Sequence, residues 1–142
     1  QRLIRVNQET GSLDAVEPFG NSGGGIIASP VHIPEQQIVI AWDSINGGLS
    51  GIATDGDLEV LWHLDARPTM QPVVFPESGE LVINDFTQAQ SDDLIVVDTK
   101  TGELLSRVAT GSRIANGMFL AAGDDRDVYY CSTLSWARIS WN

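Results

Sequence analysis

Short apolar runs separated by polar turns follow one another along the chain, and no segment carries a convincing long amphipathic helix. The runs are rich in Val, Ile and Leu and are bounded by Gly, Pro, Asn and Asp, which predicts β-strands. Ile38-Val39-Ile40-Ala41-Trp42, Leu81-Val82-Ile83 and Val128-Tyr129-Tyr130-Cys131 are of this kind. Leu94-Ile95-Val96-Val97 has no polar alternation, so it predicts a strand covered on both faces.

The runs recur in register. The turn Asn7-Gln8-Glu9-Thr10-Gly11-Ser12-Leu13 has a counterpart in Asp98-Thr99-Lys100-Thr101-Gly102-Glu103-Leu104, with a shorter version, Thr54-Asp55-Gly56-Asp57-Leu58, between them. The glycines fall at 11, 56 and 102, which are 45 and 46 residues apart. A second landmark repeats independently: Ser29-Pro30-Val31-His32-Ile33-Pro34-Glu35 matches Gln71-Pro72-Val73-Val74-Phe75-Pro76-Glu77, and Asn116 to Ala122 is a weaker third copy. Units of this length holding four short strands each are the signature of propeller blades. An immunoglobulin-like sandwich ranks a distant second, because it would not repeat its turns in register.

The succession of Pro-Val, turn, apolar strand, loop, apolar strand, Asp98-Thr99-Lys100-Thr101-Gly102 and Glu103-Leu104-Leu105 resembles the repeat of quinoprotein-like β-propellers, the PQQ-repeat family. Leu94 to Val108 matches best, and the likeness extends more loosely over nearly the whole chain. The resemblance implies a tryptophan, on the strand after the Thr-Gly turn, that docks blade against blade. Trp62 stands near that position, where the other copies carry Glu17 and Val108. Dehydrogenases, assembly scaffolds and binding proteins share this repeat, so it implies no bound quinone. Asp55 to Trp62 is also similar to blades of arylsulfotransferase-like propellers, whose funnels use histidines and arginines; the segment offers His63 alone.

The expected fold is therefore all-β: a β-propeller fragment of four-stranded antiparallel blades, about three in all and incomplete at both ends. Residues 2–18 are expected to end one blade, 26–64 and 70–109 to be full blades, and 115–142 an incomplete one, all within a single partial domain. A chain this short cannot close the ring, so the remainder of the propeller, from another chain or a second copy, is the expected partner.

If the Pro-Val segments are innermost strands, the Thr-Gly turns share one end with Pro34-Glu35-Gln36-Gln37, Pro76-Glu77-Ser78-Gly79 and Ala122-Gly123-Asp124-Asp125. These turns are tight and polar, which reads as structural. Longer connections occupy the other end, where function tends to sit on a rigid scaffold. Arg67 and Arg113 hold comparable positions between blades, and Asp43 and Asp85 comparable positions within them. With Gln71 and Asn116 these are the candidate residues for a small polar or anionic ligand at the funnel mouth; inter-blade salt bridges are the competing role.

Composition narrows the chemistry. There are 19 acidic against 8 basic residues, with Lys100 the sole lysine, and a net charge of −11 argues against a nucleic-acid partner. No apolar stretch approaches the length that spans a membrane, and a soluble chain, secreted or periplasmic among other settings, is expected. Cys131, the single cysteine, sits in an apolar run and reads as a small buried hydrophobe.

Gly23-Gly24-Gly25 lacks the Lys-Ser/Thr and the helix of a phosphate loop. Asp55, Asp57 and Glu59, and Asp124, Asp125 and Asp127, alternate as calcium ligands do without matching an EF-hand, which leaves room for a weak surface calcium at most. His32 and His63 have no third nitrogen or thiol ligand nearby for zinc. No cofactor, metal or catalytic residue is expected. The leading expectation is a non-catalytic propeller module binding a ligand or a protein. The alternative is a fragment of a propeller enzyme with its site in the funnel: a quinoprotein-type oxidoreductase, an arylsulfotransferase-like transferase or a lactonase-like hydrolase.

Overall fold

The computed structural model describes residues 2–20, 29–45, 48–87, 92–112, 117–132 and 135–141. The described chain is all-β and forms four antiparallel sheets, each a meander in chain order. The first pairs β1 (Leu3–Val6) with β2 (Leu13–Val16). The second runs β3 (Val31–Ile33), β4 (Ile38–Asp43), β5 (Gly48–Ala53) and β6 (Glu59–Leu64). The third repeats that order with β7 (Val73–Phe75), β8 (Glu80–Asp85), β9 (Asp93–Asp98) and β10 (Leu104–Ala109). The fourth has β11 (Gly117–Ala122), β12 (Val128–Ser132) and β13 (Trp136–Ile139).

Turn chemistry explains the repeat. Asn7 and Asp98 each end a strand and accept, on Oδ1, the N–H groups two and three residues on. Gly11 and Gly102 donate back to the carbonyls of Asn7 and Asp98, both with φ +72°, where a side chain is strained. The turns between the first two strands of the second and third sheets match in the same way. Gln37 donates to the Pro34 carbonyl and Gly79 to the Pro76 carbonyl. Thr54 and Thr99 then donate to the carbonyls of Gln37 and Gly79, which draws both sets of turns to one end.

The sheets pack face to face in chain order. Ile40, Trp42 and Leu49 of the second meet Leu81, Ile83, Ile95 and Val97 of the third. Val82, Leu94 and Val96 on the opposite face of the third meet Val128 and Tyr130 of the fourth. Strand β9 is thus covered on both sides, which is why its sequence does not alternate.

Trp62 fastens the second sheet to the third. Its indole lies over Gly51 of its own sheet and Gly102 of the next; a Cβ on either glycine would come within 2.3 or 2.6 Å of the ring. Its Nε1–H donates to the Thr99 carbonyl at 3.0 Å. Trp62 pairs with Gly51, Ser106 with Val96 and Asp14 with Arg5, so the register makes Asp14 and Ser106 the counterparts of Trp62. Glu17 and Val108 are not: the turn holding Gly56 is one residue longer than those holding Gly11 and Gly102 and carries its glycine one place earlier, and β6 has a bulge that β2 lacks, so counting on from the glycine overshoots. Asp14 docks its sheet by other means: its Oδ2 accepts Leu58 N–H at 2.8 Å and Arg5 Nη2–H at 2.8 Å, and Arg5 also donates to the Thr54 and Gly56 carbonyls.

Among the described residues nothing covers the outward faces of the first and fourth sheets. Ile4, Val6 and Leu13 are exposed on the first, and Phe119, Tyr129 and Trp136 on the fourth, with Trp136 85 % accessible. Cys131 pairs with Phe119 and Trp136 on that outer face and is half-buried rather than a core residue.

Two substitutions separate turn strain from docking. Gly11→Ala and Gly102→Ala meet the same positive φ, but only Gly102 lies against the indole. Gly102→Ala is expected to cost about 1–3 kcal/mol more than Gly11→Ala in urea denaturation. Trp62→Ala is expected to cost about 3–5 kcal/mol.

Candidate functional site

The end opposite the tight turns gathers the polar residues of interest. Asp43 and Asp85 close β4 and β8 at equivalent register positions, opposite Gly48 and Asp93. Both are buried, and each accepts on Oδ1 the N–H two residues on, from Ile45 at 2.8 Å and Thr87 at 3.0 Å. Their first duty is to cap a strand end where the backbone leaves the ladder.

Asp85 does more. Its Oδ1 also accepts the Arg67 N–H at 2.8 Å and the Thr87 hydroxyl, and its Oδ2 takes Arg107 Nη2 at 2.6 Å. Arg107 Nη1 reaches Asp93 at 3.0 Å, so one guanidinium spans two carboxylates. Burial pushes the Asp85 carboxyl up, but the hydrogen bonds from Thr87, Arg67 and Arg107 outweigh it and hold the pKa below the usual carboxylate value. For Arg107, partial burial works against the charge, and the bonds to Asp85 and Asp93 more than offset it, raising its pKa.

Asp92 lies beside this group, and among the described residues no cation pairs with it. Its Oδ1 accepts Asn84 Nδ2–H at 2.9 Å, and its Oδ2 accepts the Tyr130 hydroxyl at 2.7 Å across the boundary between the third and fourth sheets. Asn84 in turn accepts Thr69 and Met70 N–H groups, both at 3.0 Å, tying the incoming loop to the same network. Burial raises the Asp92 pKa; the bonds from Asn84 and Tyr130 oppose it, and the charges of Asp93 and Asp85 add to it. Burial likewise raises Tyr130.

Of the residues nominated from sequence, Arg67 and Asp85 are brought together, but through the arginine backbone. The Arg67 side chain turns the other way: Nε donates to the Ser44 carbonyl at 3.2 Å, and the guanidinium lies 6.0 Å from the centroid of the Phe86 ring. Gln71 is exposed and donates to the Ser29 carbonyl at 3.2 Å, apart from that group. Arg113 and Asn116 lie outside the described residues, as do Gly23, Gly24 and Gly25.

One constellation invisible in the sequence is a serine, histidine and aspartate in line. The Ser50 hydroxyl meets His63 Nδ1 at 2.9 Å, and His63 Nε2 meets Asp65 Oδ1 at 3.4 Å. Burial is inverted relative to a hydrolytic triad: Ser50 is fully buried and the Asp65 side chain fully exposed. A nucleophile must be reachable and its orienting carboxylate sheltered, so the row is a cross-strand hydrogen bond with a solvent-side partner. Only the pairing of Ser50 with His63 across β5 and β6 reveals it.

At the turn end a cleft of about 930 Å³ is lined by Glu35, Phe75, Glu77, Asp124, Asp125 and Arg126 among others. Among the described residues no group of three or more His, Cys, Asp or Glu side chains converges as a metal-ligand set. Asp127, one of the alternating acids, is engaged by Arg138. No helix of the described chain is long and apolar enough to cross a membrane. A scan against protein-family models finds no match to the chain, and a search of curated proteins finds no matching relative.

The two buried carboxyls predict opposite pH effects. Asp92, raised on folding, contributes stability that is complete below the ordinary carboxylate range and is lost as pH rises through its folded pKa. Asp85, lowered on folding, contributes stability present above that range and lost as pH falls through its folded pKa. In urea denaturation from acid to neutral pH, Asp92→Asn is expected to raise the midpoint near neutrality. Asp85→Asn is expected to lower it there.

Proposed function

We propose that the chain is part of a β-propeller of quinoprotein-like type and works as a non-catalytic module that binds a ligand or a protein partner. The observation that carries this reading is the repeated docking step. Trp62 of one sheet and Asp14 of another, at equivalent register positions, each reach the turn between the third and fourth strands of the following sheet. A joint that repeats in one direction from the first sheet to the second and from the second to the third, with β3, β7 and β11 each the first edge strand of its sheet, suits an array of blades better than a two-sheet sandwich.

Support for a binding role comes from how the polar groups are used. Asp43 and Asp85 are committed to strand ends, Arg107 to two carboxylates, and Ser50 to a buried cross-strand bond. These are the features of a rigid frame that presents loops. A second copy of the chain would cover the apolar outer faces, since contiguous exposed aromatic surface marks an interaction site.

Multi-angle light scattering tests the reading. The chain is expected to run above the 15.3 kDa of one copy, and Trp136→Glu to return it to that mass with its far-ultraviolet dichroism unchanged. A stable species of that mass at every concentration, for the native chain, would contradict the reading.

A further inference from the structure

Five arginines of the described chain are neutralised by carboxylates. Arg2 pairs with Glu17, Arg5 with Asp14, Arg107 with Asp85 and Asp93, Arg126 with Glu80, and Arg138 with Asp127. Arg67 has no such partner among the described residues, in a chain with 19 acidic side chains to draw on. Asp85 accepts its backbone N–H and leaves its guanidinium aside.

Neutral groups hold that guanidinium in place. The backbone is pinned on both sides, N–H to Asp85 Oδ1 at 2.8 Å and carbonyl to Phe86 N–H at 3.0 Å. The side chain is fixed through Nε to the Ser44 carbonyl and rests near the Phe86 ring. A guanidinium has five N–H donors, and this anchoring uses the one on Nε. Among the described residues nothing takes the four on Nη1 and Nη2, which form a planar fork on a side chain already tethered at Nε.

A second observation lies at the anchor itself. Ser44 is buried, and its hydroxyl has no hydrogen-bond partner among the described residues. An unsatisfied buried hydroxyl destabilises the fold unless something completes it. Here it belongs to the residue whose carbonyl holds Arg67.

We propose that Arg67, anchored on the Ser44 carbonyl beside Phe86, forms a recognition site for a carboxylate; this rests on the reading of the chain as a binding module. The Nη fork takes the two carboxylate oxygens side by side, and the Phe86 ring offers an apolar wall for the body of the ligand. A monoanion suits the place better than a phosphate, since a chain of net charge −11 repels a second negative charge. The carboxylate belongs either to a small organic acid or to the C-terminus of a peptide.

Titrations of the native chain at constant ionic strength, read by ¹⁵N NMR of the arginine Nε–H groups, test this with benzoate, a short neutral peptide with a free C-terminus, and inorganic phosphate. Saturable movement of the Arg67 signal with benzoate or the peptide, and weaker movement with phosphate, is expected; whichever saturates first names the source. Arg67→Lys, which keeps the charge and loses the fork, should weaken binding about tenfold. Arg2→Gln should leave it unchanged. Ser44→Ala, which keeps the anchoring carbonyl, should leave binding unchanged and the urea midpoint unchanged or higher, because the hydroxyl lost was unsatisfied.

No saturable movement with either carboxylate, equal affinity in Arg67→Lys, or tighter phosphate binding would each overturn the site. Light scattering on the same samples keeps the two readings apart. Assembly without carboxylate binding rejects this site alone, and carboxylate binding by a strictly monomeric chain rejects the propeller reading alone.

Discussion

The first sheet is joined to the second, and the second to the third, where a residue of one sheet's last strand meets a turn of the following sheet. Between the second and third sheets this is the Trp62 indole, seated over Gly51 and Gly102 and bonded to the Thr99 carbonyl. Between the first and second it is Asp14 with Arg5, which together satisfy Leu58 N–H and the Thr54 and Gly56 carbonyls. One joint buries a large aromatic surface and the other answers the polar groups of a turn, yet both fix the same offset between neighbouring sheets. That offset brings Ile40 and Leu49 against Leu81 and Ile95, so the larger apolar core depends on it. It also explains two glycines: Gly51 makes room for the ring, and Gly102 combines that need with a left-handed backbone.

At the opposite end the structure spends its polar groups on rigidity. Asp85, Asp93 and Arg107 knit the hairpin of β8 and β9 to β10, and Asp92 with Tyr130 carries the network into the fourth sheet. Buried networks of this kind hold loops in fixed positions when every member is satisfied. Arg67 and Ser44 stand out because they are held in place and still have donors unused.

Strands and turns were legible in the sequence because their causes are local. The glycine at the end of each Thr-Gly turn, the Asn7 or Asp98 that caps it, and the unbroken apolar run of β9 all act within a few residues. The pairing of Asp43 with Asp85 as equivalent positions was legible for the same reason, since both lie at a fixed place in the repeat. What failed was counting through an irregularity: the longer turn around Gly56, with a bulge in β6 that β2 lacks, moved the equivalents of Trp62 from Glu17 and Val108 to Asp14 and Ser106. Contacts set by packing were beyond reach. Nothing near Asp92 announces Tyr130, 38 residues on, and nothing near Ser44 announces the Arg67 side chain.

A propeller arrangement makes a demand on the outer faces that one measurement can settle: a crystal or electron cryo-microscopy structure of the assembled particle. The proposed reading predicts sheets arrayed about an axis lined by β3, β7 and β11, with a further sheet seated over Phe119, Tyr129 and Trp136. A particle in which those aromatic side chains still face solvent, or in which the sheets pair off as a sandwich, would contradict it.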